Sequence, residues 1–236
     1  MEHKRAVLFD LFGTLVNPVT PAEYEAMLNA VAAAAGVAAG PFSVQWRAEI
    51  EVRESGQLGD IGEILASTSR RAGHEPPPDA IDRAADAWLG FAREWLTPRG
   101  RALETIDAFR DAGYRVGLVS NCSAEVPRLW PESPFRPVIE APVFSCQAGM
   151  MKPDPAIYLR ACEALDVAPR DCLFVGDGGA HELTGAAALG MTAVLLRVPG
   201  EEHTWFDSWY RRDALEWQGD SVTAIEELTR FVRSER

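Results

Sequence analysis

Two hydrophobic patterns alternate at the two ends of the chain. Short apolar runs rich in β-branched residues occupy residues 5–12, 114–121, 138–144, 171–176 and 192–198. Between most of them, apolar residues recur at spacings of three and four, over 103–112, 155–165 and 181–189. The runs are apolar on both faces, as strands covered by helices above and below must be. The alternation predicts a mostly parallel sheet of five or six strands between two helical layers.

Residues 16–96 read differently, with helical periodicity only. Thr20-Pro21-Ala22-Glu23 has the form of a capping box with proline at the first helical position, and Gly36 offers a stop. Asp60 and Glu63 repeat the box for a helix ending near Gly73, and a third helix presents Ala84, Trp88, Phe91 and Trp95 on one face. Pro76-Pro77-Pro78 separates these last two, and Thr97-Pro98-Arg99-Gly100 returns the chain to the sheet region. The expected organisation is a three-layer, Rossmann-like α/β core from residues 1–15 and 97–236, with an all-helical cap inserted at 16–96. Ligands of open α/β sheets bind beyond the carboxyl ends of the strands. The cap therefore covers whatever ends the first strand.

What ends it is Asp10. A carboxylate closing a buried strand serves as a nucleophile, as a ligand for a hard metal ion, or simply as a turn former. Three further apolar strands also lead into polar residues. One ends in Val119-Ser120-Asn121, another is followed by Met151-Lys152-Pro153-Asp154, and a third runs through Val175-Gly176-Asp177 to His181-Glu182. Small hydrogen-bond donors, a lysine and further acids at adjacent strand ends are the parts that charge-stabilised group transfer needs.

The segments DLFGTL, VSN, MKPDPAIY and VGDGGAHE together resemble the four motifs of the haloacid dehalogenase-like hydrolase superfamily, and residues 16–96 resemble its helical cap. The resemblance implies that Asp10 is a nucleophile forming a covalent aspartyl intermediate. It implies that Ser120 grips the transferred group and that Lys152 neutralises the nucleophile and the developing charge. It also implies a Mg²⁺ ion held by Asp10, Asp177 and the backbone carbonyl of Phe12, with Glu182 on the metal or on one of its waters. Asn121 and Thr14 are expected on the substrate side. His181 is read as a donor behind the metal or as a first-turn helix residue.

Phe12 departs from the commonest phosphatase pattern, which has at this position an acid that protonates the leaving alkoxide. An aromatic there resembles the 2-haloacid dehalogenases, whose departing halide needs no proton. Trp46-Arg47 resembles their carboxylate-binding stretch, although the usual place of such an arginine is the polar face of a cap helix. The acids at 177 and 182 argue the other way, because a third carboxylate at one site calls for a cation. The expected function is Mg²⁺-dependent hydrolysis of a small phosphorylated metabolite through an aspartyl-phosphate. The alternatives are a 2-haloacid dehalogenase working through an aspartyl ester, and a weakly active regulatory relative that keeps the metal and phosphate cradle.

Composition narrows the partners. The 236 residues carry a net charge of −12, which argues against a broad nucleic-acid surface. No stretch approaches the roughly 18 apolar residues that span a bilayer, and the four cysteines lack zinc-site spacing. These features lead to the expectation of a cytoplasmic enzyme with a small-molecule substrate and no nucleic-acid or membrane partner, as a monomer or homodimer. Trp205, Trp209 and Trp217 are expected at the core edge or an oligomer contact.

Overall fold

The computed structural model describes residues 5–201 and 212–232. Six strands are present: β1 (Ala6–Phe9), β2 (Arg115–Ser120), β3 (Ala141–Phe144), β4 (Cys172–Gly176), β5 (Thr192–Leu196) and β6 (Asp220–Val222). They form one sheet in the order β3-β2-β1-β4-β5-β6, and every neighbouring pair is parallel. The strands are shorter than the apolar runs that announce them, because pairing stops where the chain turns out at the sheet edge.

Residues along β1 alternate between two cores. Val7 and Phe9 pack with Ile106 and Phe109 of α6 (Ala102–Asp111). Ala6 and Leu8 pack with Ile157 and Ala161 of α9 (Pro155–Ala164) and Leu183 of α10 (Glu182–Ala188). Strand side chains point to opposite faces at successive residues, so a run that is apolar throughout buries both faces. The layered α/β arrangement follows.

The segment after β1 is helical. Its elements are α1 (Pro21–Ala35), α2 (Ala39–Ala48), α3 (Ile50–Glu54), α4 (Ile61–Arg71) and α5 (Pro78–Trp95). The Thr20/Glu23 and Asp60/Glu63 capping boxes both form, and Gly36 ends α1 at φ 73°. These helices bury a cluster of their own that includes Met27, Val31, Phe42, Trp46, Leu65 and Trp88. The sequence did not separate α2 from α3. Neither has a side-chain N-cap, and α3 is only five residues long, so no local signal marks either start.

The two connections between cap and core run side by side. Val16 bridges Pro98 in antiparallel fashion, and Arg99 N–H donates to the Leu15 carbonyl at 2.9 Å. The buried Arg99 guanidinium donates to the Gly13 carbonyl at 2.8 Å and pairs with Glu201 at 3.0 Å. Between α6 and β6 the order is β2, α7 (Glu125–Leu129), β3, α8 (Ser145–Ala148), α9, β4, α10, β5 and α11 (Arg212–Glu216). Trp217 packs at the edge of the core around α9 and α10, while Trp205 and Trp209 lie outside the described residues. Among the described residues no single helix is long and apolar enough to cross a membrane.

Candidate active site

From β1 the chain moves outward through β2 and β3, then returns to β4 on the other side of β1 and continues outward to β6. The connections diverge at the β1/β4 boundary, which is where open sheets leave a crevice. Asp10 sits there, its N–H donating to the Val175 carbonyl at 2.8 Å. Its carboxylate accepts from Thr14 Oγ1 at 3.1 Å and from Lys152 Nζ at 2.5 Å. Lys152 Nζ also donates to Glu182 Oε2 at 2.5 Å, and all three charged side chains are buried.

Asn121 clamps the lysine from behind. Its Oδ1 accepts from the Lys152 N–H at 2.8 Å and its Nδ2 donates to the Lys152 carbonyl at 3.3 Å. Ser120, at the end of β2, is fully buried with its Oγ 3.5 Å from the Asn121 carbonyl. Asn121 lines the cavity above the site, whereas Ser120 and Thr14 do not.

One carboxylate oxygen from each of Asp10, Asp177 and Glu182 lies within 4.8 Å of the other two. Two glycines make room for this. A Cβ on Gly13, which has φ +76°, would meet Asp177 Oδ2 at 2.5 Å, and one on Gly176 would meet Glu182 Oε1 at 2.1 Å. Backbone donors hold both acids: Gly179 N–H to Asp177 at 3.0 Å and Gly178 N–H to Glu182 Oε1 at 3.0 Å. Gly176→Ala is accordingly expected to lower turnover at least about tenfold by displacing Glu182. Gly90→Ala, in the open interior of α5, should leave turnover unchanged and raise stability by up to about 1 kcal/mol. Steady-state rates and thermal melts of the two variants check this contrast.

Ala180 and His181 both adopt left-handed backbone, φ 49° and 53°, so α10 begins at Glu182 and not at His181 as the periodicity suggests. The His181 ring lies 3.3 Å from Asp213, which also accepts from Thr184 N–H at 2.8 Å and Thr184 Oγ1 at 2.7 Å. His181 belongs to this helix-start turn and does not line the cavity. Asp213, distant in sequence, carried no motif.

Three carboxylates thus face one ammonium. Burial opposes the charge of Lys152, but Asp10 and Glu182 beside it push its pKa well above the usual lysine value. Burial, and then the Asp10 charge, push Glu182 well above the usual carboxylate range despite the attraction of Lys152. The acids outnumber the cation that serves them. Their all-oxygen donor set matches what a hard divalent ion takes.

A cavity of about 100 Å³ rises from Asp10 and Lys152 into the cap, walled by Phe12, Tyr24, Trp46, Trp88 and Trp95. Beyond Asn121 and the acid cluster, its polar groups include Arg53, Glu54, Ser123 and Glu125. Arg53 is buried, with Nε donating to Ser123 Oγ at 3.1 Å and Nη1 to the Trp46 carbonyl at 2.7 Å. Its guanidinium lies 4.1 Å from the Trp46 ring centroid. Arg47 is not brought to this cavity. It pairs with Glu25, hydrogen-bonds Ser43 and lies over the Tyr24 ring with its side chain 38 % exposed. The break at Glu49 between α2 and α3 reorients the chain, so the arginine six residues later lines the cavity instead. Burial raises both Glu54 and Glu125 to about 7. Neither stood out in the sequence, where each is one acid among many on short helices.

A profile of haloacid dehalogenase-like hydrolases matches residues 4–190. A glyceraldehyde 3-phosphate phosphatase of Methanopyrus kandleri is 27% identical over 209 residues, covering 82% of this chain and 84% of that one. A (S)-2-haloacid dehalogenase 4A of Burkholderia cepacia is 28% identical over 208 residues, covering 83% and 84%. The crystal structure of a HAD phosphatase from Thermococcus onnurineus superposes with a TM-score of 0.66 at 19% identity, covering 98% and 99%, and so shares the fold. Relatives of similar identity thus perform both chemistries, and the chain belongs to the haloacid dehalogenase-like hydrolases.

Proposed function

We propose that this hydrolase acts on small phosphate monoesters, with Mg²⁺ as cofactor, through an aspartyl-phosphate at Asp10. The observation that carries this reading is the convergence of Asp10, Asp177 and Glu182 within 4.8 Å around a single lysine. Halide displacement needs a carboxylate nucleophile and hydrolysis of the resulting ester a base, so it is the third acid that calls for a cation. Asp10, Asp177, Glu182 and the Phe12 carbonyl would hold the ion. When bound it supplies positive charge to the phosphoryl oxygens.

The residues divide the remaining work. Thr14 and Lys152 each donate a hydrogen bond to the Asp10 carboxylate and so fix its orientation for in-line attack on phosphorus. Lys152 keeps its proton and offsets charge on the attacking and transferred groups. Asn121 serves by fixing the main chain of Lys152. Ser120 Oγ lies against the Asn121 carbonyl and off the cavity wall, so its part in this reading is to support the end of β2 beside Asp10. The aromatic cap walls exclude water and admit a small organic substrate rather than a polymer.

A second reading, 2-haloacid dehalogenation, is favoured by Phe12 on the cavity wall and by the buried Arg53, which suits a carboxylate. Phosphate monoesters and 2-chloropropionate assayed side by side, with Mg²⁺ and with chelator, separate the two. Phosphate release that requires Mg²⁺ is expected. Halide release that persists in chelator would replace the phosphatase reading.

A further inference from the structure

An alkoxide leaving from phosphorus is too basic to depart without a proton, and a water attacking the aspartyl-phosphate must lose one. Phe12 can neither give nor take a proton. The titratable groups lining the cavity narrow the choice. Asp10 is the nucleophile, Asp177 and Glu182 belong to the acid cluster, and Lys152 is committed to Asp10 and Glu182. Tyr24 accepts from Trp46 Nε1 at 2.8 Å and burial pushes it up to about 12. Cys122 is pushed well up by burial. Arg53 is committed to Ser123 Oγ and the Trp46 carbonyl, so Glu54 and Glu125 remain.

We propose that Glu54, carried by the cap, is the acid–base residue of this site. This rests on the phosphatase reading above. The Glu54 backbone is held against the core at the strand ends. Ser145 Oγ donates to the Glu54 carbonyl at 2.6 Å and accepts from Cys122 N–H at 2.9 Å. Arg53 next to it bonds Ser123, and a Cβ on Gly56 would lie 1.9 Å from the Cys146 carbonyl. The end of α3 is therefore fixed between the loop that follows β2 and the start of α8, and Glu54 shares the cavity with Asp10, Phe12 and Lys152.

The electrostatic surroundings select Glu54 over Glu125. Burial raises Glu54 to about 7, against the attraction of Arg53 and Lys152 and with the repulsion of Asp10 and Glu51. The charges of Asp10 and Lys152 act on Glu54, whereas those that act on Glu125 are Arg53 and Glu54. Tyr24, Cys122 and Glu125 also feel the Glu54 charge.

The steps balance. An Asp10 oxygen bonds to phosphorus as the phosphorus–ester bond breaks. Its electron pair stays on the leaving oxygen, which takes the Glu54 proton and departs as an alcohol. The Glu54 carboxylate then takes a proton from water as the water oxygen bonds to phosphorus. The phosphorus–Asp10 bond breaks, releasing inorganic phosphate and restoring both carboxyls.

The test uses the full chain with Mg²⁺, glycerol 3-phosphate as the alkyl ester and 4-nitrophenyl phosphate as the aryl ester. Glu54→Gln should lower the alkyl kcat by about 10²–10⁴-fold. With the aryl ester it should still release one nitrophenolate per site in a burst, because that leaving group needs no proton, and then turn over slowly. In the unsubstituted enzyme the alkyl rate should fall above about pH 7 while the aryl burst rate does not. If that variant does not fold, Glu54→Asp, which shortens this acid alone and should lower the alkyl-to-aryl ratio, separates Glu54 from Glu125, whose carboxyl burial also raises to about 7. An unchanged alkyl-to-aryl ratio in folded Glu54→Gln, or an alkyl rate flat from pH 7 to 9, overturns the role of Glu54 and leaves the phosphatase reading standing. Failure of the unsubstituted enzyme to hydrolyse either ester overturns both.

Discussion

Asp10→Asn should lower kcat by roughly four or more orders of magnitude while leaving the fold intact, as loss of a group that works as part of a catalytic unit does. An amide oxygen is a far weaker nucleophile than a carboxylate, and no other acid stands at the end of β1. Folding should survive because Asn keeps the volume of Asp and an oxygen for Lys152 Nζ, while its Nδ2 can donate to the Thr14 hydroxyl. Lys152 also retains Glu182, so the substitution leaves no buried cation unpaired. The measurement is single-turnover kinetics with trapping of the phosphorylated enzyme, alongside circular dichroism. Retention of more than about 5 per cent of activity by a pure variant would remove Asp10 from the covalent role.

Removal of the metal should be nearly as damaging, and Asp177→Asn should reproduce it in part. The acid cluster holds three carboxylates against Lys152, so a divalent ion has a donor set waiting and a charge imbalance to relieve. Chelation is expected to abolish phosphate release, and Asp177→Asn to weaken Mg²⁺ binding by at least about 100-fold, beyond what loss of an outer partner costs. Calorimetric titration with Mg²⁺ measures this directly. Thermal melts supply a second readout, since an ion at 100 times its Kd adds about 2.7 kcal/mol to stability. The Mg²⁺-induced rise in Tm should shrink in Asp177→Asn. Full activity in chelator, or a Tm that ignores Mg²⁺ in both proteins, would sink the metal assignment.

The elements that sequence reading found and missed differ in how local their causes are. The Thr20/Glu23 and Asp60/Glu63 boxes each close within four residues, and both were legible. The starts of α2 and α3 have no such device and went unseparated. At the site, Asp10, Lys152, Asp177 and Glu182 follow strand ends or turns recognisable as motifs, and the fold brings the four together. Arg47 stood beside a tryptophan in a recognisable pair, yet the turn at Glu49 leaves it on the outside with Glu25.

The chain's periodicities by themselves determined the layered α/β architecture, the helical segment after the first strand and the placing of acids at strand ends. Those features depend on residues two to four apart, and burial on both faces of a strand is written directly in its run of apolar side chains. Only the tertiary structure decided which polar groups meet. Lys152 reaches Asp10 across 142 residues of chain, Arg53 reaches Ser123 across 70, and Ser145 holds the Glu54 backbone across 91. The raised pKa of Glu54 likewise comes from burial between cap and core and from charges on separate elements. Desolvation and the attraction or repulsion of charges depend on distance in space, which local pattern does not carry, so the proposed proton donor became visible only once the cap lay over the sheet.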